Sequence, residues 1–276
     1  DYTLGYSAIR DDTTDITNVG TVTLTVTYRG NYSGTKDVTF DITPAPLTVT
    51  PLAGQTKVFG SDDPVFAYSS TGAVNGETPA FTGPLNRVAG ENIGDRYEIT
   101  QGTLALADGV APNAFLATNY NLLFNATPVT FTITRKNAST FTIADIASRT
   151  YDGTAYAPTP NVYDGANLLV IGADKDYTLS YANNTNAGTA TLTVTGRGNY
   201  TGTQDKTYTI APITITVTPT PDQYKTLGEL DPILTYTYAA AIAGETPVFT
   251  GALSRDAGET VRDDYAITLG TLALAN

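Results

Sequence analysis

The 276-residue chain contains no cysteine, no histidine, no methionine and no tryptophan. Without cysteine there is no disulfide framework, so its domains must stand on their apolar cores. Without histidine and cysteine, imidazole general bases, thiol nucleophiles and the common zinc sites are excluded. The lack of cysteine and methionine also removes the main oxidation targets, which suits an oxidising exterior. Basic residues are few: 15 Lys and Arg stand against 27 Asp and Glu, a net charge of -12. A surface of that sign repels phosphate backbones and anionic lipid, so no nucleic-acid partner is expected. No apolar run approaches the roughly 20 residues that span a bilayer, so no direct membrane insertion is expected in this stretch. A secretory leader or an anchor, if the protein has one, is expected outside it.

What remains is Thr, Tyr, Val and Gly, the composition of sheet and turn. The dominant feature is a repeat. Residues 18–108 and 186–276 align without a gap at an offset of 168 positions, with 51 identities in 91. Self-similarity over such a span decides architecture before any motif does. Thr21 to Thr27 alternates apolar and hydroxyl residues, a strand with one buried face. A glycine-rich turn at Gly30–Gly34 follows, and Asp37–Ile42 resumes the alternation. The later copy repeats this at 189–195, 198–202 and 206–210, behind a front half at about 137–175 that the first copy lacks.

The expected partition is therefore A (rear half) at 1–45, B at 46–135, a complete A at 136–211 and the front part of a second B at 212–276. Within B, strands are expected at Leu47–Thr50, Val65–Tyr68, Tyr97–Thr100, Asn119–Phe124 and Val129–Thr134. The joints Ile42-Thr43-Pro44-Ala45-Pro46 and Ile210-Ala211-Pro212 are short and carry proline, which fixes φ and extends its predecessor. The fold class expected is all-β: small sandwich-like domains arranged end to end as a stiff rod.

These residues carry a family resemblance. Tyr151-Asp152-Gly153, Asp176-Tyr177-Thr178-Leu179, Asn186-Ala187-Gly188 and Gly196-Arg197-Gly198-Asn199-Tyr200 make unit A resemble the YDG repeat, a bacterial Ig-like surface repeat. Lys57, Gly60, Asp63-Pro64, Gly83, Leu85, Arg87, Gly90-Glu91-Asn92, Gly94, Tyr97, Gly102-Thr103-Leu104 and Asn119-Tyr120 make unit B resemble the MBG repeat. Arg262 departs from Gly94 in the second copy. The resemblance implies tandem Ig-like β-sandwich domains of long bacterial cell-surface, adhesin-like proteins, acting as stalk or fibre and found in settings such as biofilm. It implies an extracellular location and brings no catalytic residues. Expected partners are neighbouring repeats of the same polypeptide or of adjacent chains in a fibre. The alternative is an adhesive module whose loops recognise a glycan or a protein of a host, cell or matrix.

Duplicated carboxylates in turns, such as Asp63 and Asp231, read as turn chemistry rather than catalysis, and no enzyme is expected. The one plausible metal is calcium, a hard cation for carboxylates and carbonyls. Candidate ligands are Asp11, Asp12 and Asp15 in an inserted loop, Asp62 and Asp63 in a turn, and Asp174 and Asp176. None fits a dedicated calcium loop, and solvated loop acids are the competing reading. Lys57 and Lys225 recur at one position, as do Asp63 and Asp231; they read as salt bridges or as exposed lysines with stems lying on the sheet, or else as an internal Lys–Asn or Lys–Asp isopeptide crosslink. The pairs Asn31-Tyr32, Asn119-Tyr120 and Asn199-Tyr200 read as sugar-binding aromatics or, more simply, as an Asn in a left-handed turn beside a buried Tyr ring. Both end units read as incomplete, so the stretch is expected to be a window on a longer polypeptide, or its broken domains to be completed by strand addition from neighbours.

Overall fold

The computed structural model describes residues 1–8, 17–94, 96–110, 115–239, 242, 244–262 and 264–275. The chain divides into two compact units, Asp1–Lys136 and Asn137–Asn276. The fold is all-β. The only helical turns among the described residues are the three-residue 3-10 turns Ala117–Asn119 and Ala138–Thr140.

The first unit opens with an antiparallel sheet of β1 (Tyr2–Ala8), β2 (Gly20–Tyr28) and β3 (Thr35–Ile42). The alternation read in the sequence sorts residues by face. Val22 is buried, while Thr21 and Thr25 donate their hydroxyls to Asp41 and Asp37, directly opposite on β3, at 2.6 Å each. Such cross-strand pairs fix register on the solvent face.

From Ala45 onward come β4 (Ala45–Pro51), β5 (Thr56–Val58), β6 (Tyr68–Thr71), β7 (Ala80–Thr82), β8 (Asn86–Arg87), β9 (Tyr97–Thr100), β10 (Ala105–Ala107), β11 (Tyr120–Phe124) and β12 (Thr130–Thr134). They form sheets ordered β11-β4-β6 and β5-β12-β9-β8, and a ribbon β10-β7. Strand β11 runs parallel to β4, and β12 parallel to β5. Alternation shows that a strand has an inner face but not which neighbour it chooses. The core gathers Val49, Phe66, Leu85, Tyr97, Ile99, Leu104, Phe131 and Ile133. Phe66 and Phe131 meet edge-on at 5.2 Å. Burying a side chain like Phe131 contributes about 1.5–3 kcal/mol.

One expected strand is displaced. Val65–Tyr68 reads as a strand, yet the ladder begins only at Tyr68 and Val65 is exposed. Pro64 has no N–H to give a ladder. The Ala67 N–H instead donates to the Gln55 side chain at 2.7 Å, while the Ala67 carbonyl accepts from both the Leu52 N–H at 2.9 Å and the Gln55 amide at 3.0 Å.

The later strands are β13 (Lys136–Asn137), β14 (Thr142–Ile143), β15 (Arg149–Thr150), β16 (Val162–Asp164), β17 (Asn167–Leu168), β18 (Tyr177–Ala182), β19 (Gly188–Gly196), β20 (Tyr200–Thr201) and β21 (Thr203–Ala211). In the second unit β15-β21-β19-β18 form one sheet and β14-β16-β17 another. The front half covers the face that is bare in the first unit. Tyr156 meets Tyr208 edge-on at 5.4 Å, and Tyr208 is 4% exposed where its counterpart Phe40 is 48% exposed. The unit continues with β22 (Thr216–Pro219), β23 (Tyr236–Ala239), β24 (Phe249–Thr250), β25 (Ser254–Arg255), β26 (Ile267–Thr268) and β27 (Ala273–Leu274), paired as β22-β23, β24-β27 and β25-β26.

Candidate functional site

The most built polar cluster is a closed square of four charges. Lys57 projects from β5 and Arg87 from β8; Asp63 sits in the turn after β5 and Glu91 in the loop after β8. Lys57 Nζ lies 2.7 Å from Asp63 Oδ1 and 2.6 Å from Glu91 Oε2. Arg87 grips the other corners, with Nε to Asp63 Oδ2 at 2.6 Å, Nη2 to Asp63 Oδ1 at 2.9 Å and Nη2 to Glu91 Oε1 at 2.5 Å. Both cation side chains are 5% exposed. The Arg87 guanidinium stacks between rings, 4.9 Å from the Tyr97 centroid and 5.4 Å from that of Phe131. Planar Arg suits both tasks, the bidentate carboxylate and the aromatic face.

The electrostatics follow the geometry. The Arg87 bond holds the Asp63 carboxyl below its ordinary range against burial, and Lys57 adds to this. Burial opposes the Lys57 ammonium, but Asp63 and Glu91 more than offset it and its pKa is raised. Glu91 is likewise held low, first by Lys57 and then, against burial, by Arg87.

The same square stands 168 residues later. Lys225 Nζ is 2.8 Å from Asp231 Oδ1 and from Glu259 Oε2. Arg255 reaches Asp231 with Nε at 3.0 Å and Nη2 at 2.8 Å, and Glu259 with Nη2 at 2.7 Å. Arg255, backed up by Lys225, pulls the Asp231 carboxyl down to about 2. Here Lys225 and Arg255 are 18% and 17% exposed. Arg255 keeps the ring of Tyr265 at 5.0 Å. At the position of Gly94, Arg262 lays its guanidinium 4.0 Å from the Tyr265 ring.

A glycine shapes each square. Gly90 has φ +144, and a Cβ there would fall 2.3 Å from the Tyr97 ring; Gly258 repeats this against Tyr265 at 2.8 Å. With no side chain, the loop turns close enough for the Gly90 carbonyl to accept from Arg87 Nη1 at 2.5 Å.

The other candidates from sequence scatter. Asp63 is engaged by Lys57 and Arg87, and Asp176 accepts from the Val170 N–H at 2.8 Å. Asp62 and Asp174 are exposed, and Asp11, Asp12 and Asp15 lie outside the described residues. No group of three or more acids able to hold a metal is found among the described residues. For Lys57–Asp63 the geometry is that of an ion pair: amide formation needs a neutral amine and a protonated acid, and the square favours the opposite states of both.

The Asn-Tyr reading needs correction. None of Asn31, Asn119 and Asn199 has a positive φ; the left-handed residues are Gly30 at +73 and Gly198 at +54, one position earlier. Glycine takes that conformation without the steric cost a Cβ imposes. The rings of Tyr120 and Tyr200 are buried, but that of Tyr32 is exposed. Asn119 has a different role. Its side chain accepts from the Val19 N–H at 3.0 Å and donates to Asn18 Oδ1 at 2.6 Å, tying B to the preceding A. Arg87 and Glu91 were not picked out as site residues, although both recur at the 168 offset together with Lys57 and Asp63.

Residues 47–132 and 215–276 match the family model of the MBG domain (YGX type), and together they make up more than half of the chain. The chain belongs to the MBG domain family. Each MBG unit thus carries one charge square, on the residues that bore the resemblance. No match was found among curated proteins or solved structures.

Proposed function

We propose that this chain is a mechanical spacer, a segment of stalk or fibre in a large repetitive bacterial cell-surface protein of the adhesin kind. The observation that carries this reading is the closure of the charge square in both MBG units. Four of the charged residues that recur identically bond to one another in each unit. Their bonds run between β5, β8 and two loops, so they join parts of the unit distant in sequence.

The joints support the same reading. Only Thr43 and Pro44 separate β3 from β4, and Asn119 reaches back across that joint to Asn18 and Val19. In the second unit the Tyr151 hydroxyl donates to Glu245, which links the Ig-like domain to the MBG domain behind it. Proline at a short joint with side-chain ties across it resists bending, whereas Gly/Ser linkers act as flexible coil. An Ig-like sandwich for each unit and an end-to-end rod are the architecture this function implies, at the outer surface of a bacterium and with neighbouring repeats as the main partners.

Single-molecule pulling tests the proposal. Discrete unfolding peaks that weaken on Asp63→Asn are expected. Featureless low-force extension overturns it, and a saturable glycan or protein ligand lost on loop substitution favours an adhesive module instead.

A further inference from the structure

Each charge square is built on a chemically weak peptide bond. The chain has two Asp-Pro bonds, Asp63–Pro64 and Asp231–Pro232, and each begins at the carboxylate that both cations of a square share. An aspartyl carboxylate stands close enough to its own peptide carbonyl to attack it through a small ring, with the advantage of any tethered nucleophile. Proline on the far side weakens the bond further. Its nitrogen belongs to a tertiary amide with no N–H, takes up a proton more readily than an ordinary amide nitrogen, and leaves as a secondary amine.

The square occupies both oxygens that could attack. Asp63 Oδ1 lies 2.7 Å from Lys57 Nζ and 2.9 Å from Arg87 Nη2, and Oδ2 lies 2.6 Å from Arg87 Nε. Asp231 is held the same way, with Oδ1 at 2.8 Å from Lys225 Nζ and from Arg255 Nη2, and Oδ2 at 3.0 Å from Arg255 Nε. The bond itself lies open. Residues 61–67 and 229–235 belong to no strand, and Val65 and Ile233, just after each proline, are exposed. Water reaches the carboxylate too, since the Asp63 side chain is 32% exposed. Acid chemistry at this bond is therefore restrained by the grip on the side chain rather than by burial of the backbone.

We propose that each charge square is a lock on a self-cleavage site, and that acid, by opening the square, lets Asp63 and Asp231 cut the chain at their own carbonyls. The charged groups around Asp63 are Lys57 from β5, Arg87 from β8, Glu91 from the loop after β8, and Asp62 beside it on the same turn. Protonation of Glu91 and Asp63 removes the counter-charges that hold Lys57 and Arg87 in place. A freed, ionised Asp63 oxygen then attacks the Asp63 carbonyl carbon. A C–O bond forms, the C–N bond to Pro64 breaks, and its electron pair stays on the Pro64 nitrogen, which takes a proton from solvent. Water opens the resulting cyclic anhydride to two carboxyl groups, so one water is added overall and nothing is oxidised or reduced. The cut falls between β5 and β6, and the paired strands β4 and β6 then belong to different fragments held together without a covalent bond. The inference concerns a covalent event and is independent of the spacer role.

The test holds the full 276-residue chain at about pH 3, in the titration range of aspartate, and follows fragment masses with time. In urea both Asp-Pro bonds are expected to break, and in the folded chain at least about tenfold more slowly. Arg87→Gln, shown by circular dichroism to be folded, is expected to speed the cut at Asp63–Pro64 about tenfold and to leave Asp231–Pro232 at its native rate. Leu47→Ala is the control, since it weakens the core of the same unit without touching the square; it is expected to leave the Asp63–Pro64 rate near native. Equal rates in folded and unfolded chain overturn the proposal, as does an unchanged rate in folded Arg87→Gln. Equal acceleration by Leu47→Ala also overturns it, because unfolding rather than the square would then set the rate. If Arg87→Gln does not fold, Arg87→Lys takes its place, keeping the charge but losing the paired bonds: a faster cut at Asp63–Pro64 is expected, and an unchanged one overturns the proposal. Failure of this test leaves the pulling experiment at neutral pH untouched, so the two readings fall separately.

Discussion

Arg87 holds Asp63 through two parallel hydrogen bonds, Nε to Oδ2 at 2.6 Å and Nη2 to Oδ1 at 2.9 Å, and Arg255 holds Asp231 the same way. The pairs differ in burial. Removing one partner of a buried pair leaves its counter-charges uncompensated, whereas exposed pairs contribute little. Asp63→Asn, which leaves Lys57 and Arg87 with Glu91 alone, is expected to cost about 2–3 kcal/mol. Asp231→Asn is expected to shift stability clearly less, because Lys225 and Arg255 are better solvated. Denaturant unfolding of the two variants makes the comparison; equal effects would mean that burial does not set the strength of the square.

The acid limb of stability follows from the same carboxylates. Asp231 is held at about 2 against an ordinary 3.8, and Asp63, Glu91 and Glu259 are also held low. A lowered folded-state pKa means that the folded chain binds fewer protons than the unfolded one. Its contribution is complete above the unfolded values and is lost as pH falls through the folded ones. Stability is expected to be level from neutrality to about pH 5 and to fall steeply toward about pH 2. Salt is expected to weaken the exposed second square more than the first. An unfolding midpoint that does not move over this range would contradict the assignment.

Gly90→Ala places a Cβ against the Tyr97 ring at a φ that side chains rarely adopt. The expected cost is about 2–3 kcal/mol, from strain and from displacement of the ring that backs Arg87. Gly20 is the control: its φ is +151 and a Cβ there meets nothing within 4 Å. Thermal melts of the two variants separate backbone strain, common to both, from the ring contact.

Much of this was legible from the repeat. Eight charged residues recur identically at the 168 offset: Arg29, Asp37, Lys57, Asp63, Glu77, Arg87, Glu91 and Asp95. Four form the square. Asp37 and its copy Asp205 accept from Thr25 and Thr193, and Glu77 and Glu245 accept tyrosine hydroxyls. Asp95 and its copy lie outside the described residues. Strand alternation also came through where one face of the sheet is buried, as along β4 and β19. Pairing partners did not: parallel contacts such as β5 with β12 join residues 77 positions apart, and no local pattern encodes them. The Val65–Tyr68 strand was misplaced because Gln55, a neutral side chain with no motif, accepts the Ala67 N–H that a ladder would give to its neighbouring strand.

A Lys57–Asp63 crosslink would remove one water from the chain's mass. With both groups held ionised by Arg87 and Glu91, the intact mass is expected to equal that of the sequence. A deficit of one or two waters, localised by digestion to these lysines, would replace the ion-pair account with a covalent one.

Solution scattering from the intact chain tests the spacer reading most directly. A compact particle of this length has a radius of gyration near 19 Å, by size scaling. A stiff array of small domains is expected to give a value well above about 19 Å, with the profile of a thin rod. A globular profile near the compact value would contradict an extended spacer.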